Sequence, residues 1–82
     1  MASWGRKLRA IREELGLTLR DVQKASLRLA TRYRNRRLIL SPGRLSMIET
    51  QNEVPSIFRL YALSIIYRRD IKELLTFYGL YK

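Results

Sequence analysis

Apolar residues recur along this chain at helical spacing in five blocks, most of them opened by a small polar residue that can cap a helix. Trp4, Leu8, Ile11 and Leu15 form the first seam, with Ser3 as the predicted N-cap and Gly16 as the stop. Thr18, with Asp21 three residues on, predicts a capping box at the start of a second helix. Its seam, Leu19, Val22, Ala25/Ser26, Leu29 and Tyr33, holds to about residue 34, so this helix is unusually long. Asn35, which tolerates the left-handed conformation, is the predicted stop. Leu38-Ile39-Leu40 is too short for a helix and is expected to lie extended against the core.

Ser41 caps a third helix, with Pro42 at the first helical position, where its missing N–H matters least. Leu45 and Ile48 face inward, and the helix ends near Gln51-Asn52. Pro55 closes the next loop, and Ser56 caps a fourth helix whose main face is read as Ile57, Leu60, Tyr61, Ser64 and Ile65. Phe58, Ala62, Leu63, Ile66 and Tyr67 make its remainder apolar, which predicts burial on most sides. Asp70 and Glu73 suggest a second capping pair before Ile71, Leu74, Leu75 and Tyr78, and Gly79 ends the fifth helix. By this reading all four glycines fall at helix termini. The pattern predicts an all-α, compact five-helix bundle with no strand of consequence.

Eighty-two residues suffice for one domain over 1–82 with a buried core. With no cysteine, the chain has neither a disulfide framework nor a thiolate metal site, which fits a reducing, cytoplasmic setting. No apolar run is long enough to span a bilayer, and no signal-peptide core opens the chain. Without histidine or cysteine there is no Ser-His or Cys-His pair, so an enzyme is not expected, and neither is a cofactor. The charge is lopsided. Residues 1–44 carry twelve Lys/Arg against three acids, and residues 45–82 carry five against four. Such polarity points to a polyanionic partner.

The stretch Ser41-Pro42-Gly43-Arg44-Leu45-Ser46-Met47-Ile48-Glu49, preceded by Arg12 with Leu15-Gly16-Leu17-Thr18 and followed by Pro55-Ser56-Ile57, resembles the Cro/phage-repressor (Xre-like) helix-turn-helix family. The resemblance covers roughly residues 6–78. It implies a lambda-repressor-like fold, a recognition helix over 41–51 in the major groove of double-stranded DNA, and the role of a bacterial-type transcriptional regulator's DNA-binding domain. It further implies a structural ion pair between Arg12 and Glu49. The residues agree: Glu49 follows inward-facing Ile48, and an acid there needs a partner.

Two features depart from the family pattern. Thr18 and Glu49 lie about a dozen positions further apart than is usual, so an insertion separates the two helices of the motif. Also, direct readout from the groove-facing set Ser41, Gly43, Arg44, Ser46, Met47 and Thr50 is expected to be poor, with Ser41, Arg44, Ser46 and Thr50 as its donors and Met47 able to touch a thymine methyl. Pro42, Gly43 and Met47 occupy positions where the family often carries glutamine, arginine or asparagine, and none can make a bidentate bond to a base edge. Leu19 likewise stands where a polar phosphate contact is common. Affinity is therefore expected from phosphates, through Thr18, through Arg20, Lys24, Arg28 and Arg32 as a cationic stripe along one face of the second helix, and through Arg34, Arg36 and Arg37 extending it into the loop. Residues 28–37 hold five arginines and no acid, and a loop arginine can enter a narrow minor groove.

A protein-interaction module on the same fold is the alternative. The apolar C-terminal residues Phe77, Tyr78, Leu80 and Tyr81 would suit packing on the first helix, a homodimer, or another partner. RNA binding lacks an aromatic stacking platform, since Tyr33 is the sole aromatic within the arginine cluster and lies on the apolar seam. A membrane-surface helix over 18–36 would need the apolar side that the core requires.

Overall fold

Thr18 and Asp21 fasten the start of the longest helix by satisfying one another's backbone. The Thr18 hydroxyl accepts the Asp21 N–H at 3.0 Å, and the Asp21 carboxylate accepts the Thr18 N–H at 2.9 Å. In the computed structural model, which describes residues 4–80, this helix is the second of five. They are α1 (Trp4–Glu14), α2 (Leu19–Tyr33), α3 (Pro42–Thr50), α4 (Ile57–Ile66) and α5 (Ile71–Phe77). A 3-10 turn, Arg36–Leu38, lies between α2 and α3, and no strand occurs among the described residues. The all-α reading holds. Ser3 and Tyr81 lie outside the described residues.

Short polar side chains open the later helices too. Ser41 accepts the Arg44 N–H, with Pro42 at the first helical position, and Ser56 accepts the Arg59 N–H. Asp70 caps α5 through the Lys72 N–H. The reciprocal half of that expected box does not form, because Glu73 binds Arg69 at 2.8 Å. A full opposite charge one residue upstream outcompetes a backbone amide.

The end of α2 corrects the sequence reading. Arg34, not Asn35, adopts the left-handed conformation (φ 53°, ψ 47°). Asn35 is extended, and its side chain instead accepts the Arg37 N–H at 3.0 Å, capping the 3-10 turn. Asparagine thus serves where its oxygen is useful, and the strained turn falls on arginine. Leu38 closes the 3-10 turn and Ile39 is extended, while Leu38 and Leu40 are buried.

The core gathers Leu8 and Ile11 of α1, Val22 and Ala30 of α2, Leu45 and Ile48 of α3, Leu60, Ala62 and Leu63 of α4, and Leu74 of α5. Three seam assignments fail. Leu15 is exposed, because α1 ends at Glu14 and Gly16 (φ 72°) turns the chain so that Leu17 packs inward instead. Tyr33 is exposed, since Ala30 is the last buried residue of α2. On α4, Ile57, Tyr61 and Ile65 face outward, while Leu60, Ala62, Leu63 and Ser64 are buried. A helix apolar all round carries no polar face to mark its outside.

Gly5 sits in the first turn of α1, yet its role is clearance. A Cβ there would collide with the carbonyl oxygens of Ile48 and Glu49. The backbone of α1 therefore lies directly on the end of α3. Asn52 (φ 53°) completes this clamp: its side chain accepts the Gly5 N–H and its carbonyl accepts the Trp4 indole N–H, both at 3.3 Å. At the other end of the chain, Tyr78 stacks against Trp4 with centroids 5.3 Å apart, and Lys7 lies over Phe77 at 5.1 Å. The C-terminal apolar residues thus cover α1, leaving Leu80 exposed.

Candidate nucleic-acid interface

Burial of Leu45, Ile48 and Glu49 fixes the orientation of α3 about its axis. Gly43, Met47 and Thr50, about half a turn away, are exposed, Arg44 is exposed to one side, and Ser46 is half-buried. Two of the candidate donors are already engaged. Thr50 donates its hydroxyl proton to the Ser46 carbonyl at 2.7 Å, and one Arg44 amino group bonds the Glu53 carboxylate at 2.8 Å. The Ser41 oxygen accepts the Arg44 amide, which leaves its own proton to donate. Around Gly43 no atom lies where a side chain would project. This is a smooth face with one exposed thioether at its centre.

Arg12 and Glu49 hold that face in place from behind. The guanidinium donates to Glu49 through Nε at 2.7 Å and Nη2 at 3.0 Å, and Nη1 donates to the Leu17 carbonyl at 2.8 Å. The fork joins α1, the start of the α2 segment and the end of α3. Its hydrogen bonds to Glu49 raise the Arg12 pKa against the opposing effect of burial, so the guanidinium stays charged. Behind the pair lies Tyr67, buried, with its hydroxyl pushed up above the ordinary phenol range by desolvation and by the nearby Glu49 charge.

The structure separates the cationic candidates into groups. Arg20, Lys24, Arg28 and Arg32 are spaced by four, and each step turns about 40° around a straight helix. Across three steps the row winds about 120°, so it is a spiral and not one face. Lys24 and Arg28 line a surface depression with Leu17, Asp21, Ala25 and Ile66, which includes no residue of α3. Arg34 and Arg36 line a different one with Leu27, Ala30, Thr31, Asn35 and Ile39, and Ile39 lies two residues before the Ser41 cap. Arg37 is stacked over the Phe58 ring at 5.1 Å. Thr18 is exposed but engaged in its cap. Leu19 is half-buried against the core.

Sequence reasoning missed Arg59. Its Nε donates to the Ile39 carbonyl at 3.1 Å, while Ser26 of α2 holds the Leu40 N–H. Those two bonds, one from α4 and one from α2, position the extended approach to α3. A lone basic residue in the first turn of an apolar helix gave no signal of this. All seven acids are engaged: Glu13 with Arg9, Glu14 and Glu73 with Arg69, Glu49 with Arg12, Glu53 with Arg44, and Asp21 and Asp70 in caps. Arg20, Lys24, Arg28, Arg32, Arg34 and Arg36 have no ion pair among the described residues. The same residues contain no metal-binding group of three acids and no helix long and apolar enough to cross a membrane.

A family model described as a helix-turn-helix domain matches residues 5–80 of the chain. No curated protein and no solved structure matches it.

Proposed function

Because the chain belongs to the helix-turn-helix domain family, we propose that it binds duplex DNA as the DNA-binding domain of a Cro/repressor-like transcriptional regulator acting in the cytoplasm. In this reading α3 lies in the major groove with Ser41, Gly43, Arg44, Ser46, Met47 and Thr50 toward the base edges. The observation that carries it is the exposed Gly43–Met47–Thr50 face of α3, together with Arg34 and Arg36, cations without an acidic partner that line a depression with Ile39, two residues before the Ser41 cap.

Phosphate contacts fall first to Arg34, Arg36 and Arg37 on the α3 approach, and to Thr18 and Arg20 at the start of α2. Lys24, Arg28 and Arg32 lie further round α2 and contribute mainly through the field that draws the duplex in. Base reading is thin. Met47 offers apolar contact to a thymine methyl, and Ser41 offers one hydroxyl donor. Affinity is then largely electrostatic, and specificity per protomer is modest.

Binding of the chain to a fluorescent duplex, followed from 50 to 200 mM salt, tests this. About six phosphate contacts give a log–log slope near −5, or roughly a thousand-fold loss of affinity over that range. Absence of binding at the low-salt end, or a slope shallower than about −2, would overturn the reading.

A further inference from the structure

Four large apolar side chains stand together on the outside of the molecule. Tyr33 at the end of α2 is 49% exposed, and Ile57, Tyr61 and Ile65 along α4 are 56%, 41% and 37% exposed. The three α4 residues are spaced by four over only two steps, so they stay within about 80° of one another around the helix, as one stripe. Tyr33 and Tyr61 meet edge-on with centroids 6.4 Å apart, joining the stripe to α2. Beside them runs a groove of about 460 Å³ lined by Tyr33, Leu38, Ile57, Phe58, Tyr61 and Ile71. Monomeric surfaces seldom gather aromatic and branched residues this way without a partner.

The surroundings decide what partner. Arg37 lies over Phe58 on the groove wall, Arg32 and Arg34 flank Tyr33 in the chain, and Arg68 follows the end of α4; all are exposed. Among the described residues every acidic side chain is already held by a cation or in a helix cap, and Asp70 beside Ile71 is the acid nearest the groove in sequence, so a second copy would bring several arginines against arginines with little acid to offset them. We propose that the Tyr33–Tyr61 groove is a docking site for an acidic amphipathic helix of another protein. Its apolar side chains, spaced at i, i+3/i+4 and i+7, would fill the groove, and its carboxylates would meet Arg32, Arg34, Arg37 and Arg68. The docking site itself does not depend on DNA binding; only its competition with duplex rests on the proposed function. Since Arg34 and Arg37 are also proposed phosphate contacts, docking competes with duplex.

Selection from a random 16-residue peptide display library on the immobilised 82-residue chain provides the test. Enriched peptides are expected to carry a net negative charge and apolar residues at helical spacing. A synthesised winner is expected to lose at least tenfold in affinity for Tyr61→Glu and for Ile57→Glu, two outward positions whose variants are checked for folding by circular dichroism. It is also expected to lose affinity for labelled duplex-saturated chain. Failure to enrich any peptide, enrichment of neutral or basic ones, or equal binding to both variants would overturn the proposal. So would a concentration-dependent dimer in sedimentation that Ile65→Arg abolishes, because the stripe would then be covered by a second copy.

Discussion

The hydroxyl of Ser26 accepts the Leu40 amide N–H at 2.9 Å while donating to the Gln23 carbonyl at 2.8 Å. Ser26 and Leu40 are both fully buried, so no solvent replaces the bond between them. A serine in mid-helix therefore serves as a side-chain bridge from α2 to the segment that delivers Ser41. Ser26→Ala strands the Leu40 amide and is expected to destabilise the fold by about 1–3 kcal/mol. Urea unfolding checks the size, and amide hydrogen exchange at Leu40 checks the cause. Unchanged protection at Leu40 would contradict this account.

Arg12 and Glu49 make a buried two-pronged pair. Arg12→Met alone leaves a buried carboxylate and is expected to destabilise by about 3–5 kcal/mol. Arg12→Met with Glu49→Leu is expected to be more stable than either single variant, since no uncompensated charge remains. Thermal unfolding of all four proteins yields the coupling. Simple additivity of the two substitutions would show the pair to be energetically unimportant.

Gly5 and Arg34 make opposite demands on the backbone. Gly5→Ala forces a methyl group onto the Ile48 and Glu49 carbonyls, so α1 and α3 have to separate. We expect a loss of more than about 2 kcal/mol, in the upper range for overpacking. Arg34→Gly, in contrast, relieves a left-handed residue with a Cβ and is expected to stabilise by up to about 1 kcal/mol. The same variant removes a candidate phosphate contact, so a rise in melting temperature should accompany weaker duplex binding.

Asp21 makes the start of α2 sensitive to acid. Hydrogen bonds from the Thr18 backbone, and then from its side chain, hold the Asp21 pKa below its usual 3.8. A carboxyl lowered in this way adds stability above its unfolded value and loses it as pH falls through the folded one. The contribution is therefore intact at neutral pH and disappears below about pH 4. Asp21→Asn, which does not titrate, is expected to show a smaller decline in stability between about pH 5 and pH 2. Superimposable profiles for the two proteins would remove the cap from the acid response.

What sequence revealed and what it hid divide along a physical line. The caps at Thr18, Ser41 and Ser56 were legible because a hydroxyl and an amide a few residues away decide them locally. So was the inward turn of Leu45 and Ile48, which gives α3 its exposed side. The outward face of α4 was not, because Ile57, Tyr61 and Ile65 are as apolar as the residues that are buried. Gly5 read as a helix-end glycine, since only the arrival of α3 makes its missing side chain necessary. The winding of Arg20, Lys24, Arg28 and Arg32 follows from helix geometry alone. That Lys24 and Arg28 adjoin Ile66, and Arg34 and Arg36 the entry to α3, required the tertiary packing.

Empty space around Gly43 leaves that position open to a longer side chain. A glutamine, asparagine or arginine placed there would reach outward from a helix whose inner side is already locked by Leu45, Ile48 and Glu49, and in the proposed complex with duplex it would gain a base contact without repacking the core. If α3 reads bases as proposed, one substitution there is enough to retune it.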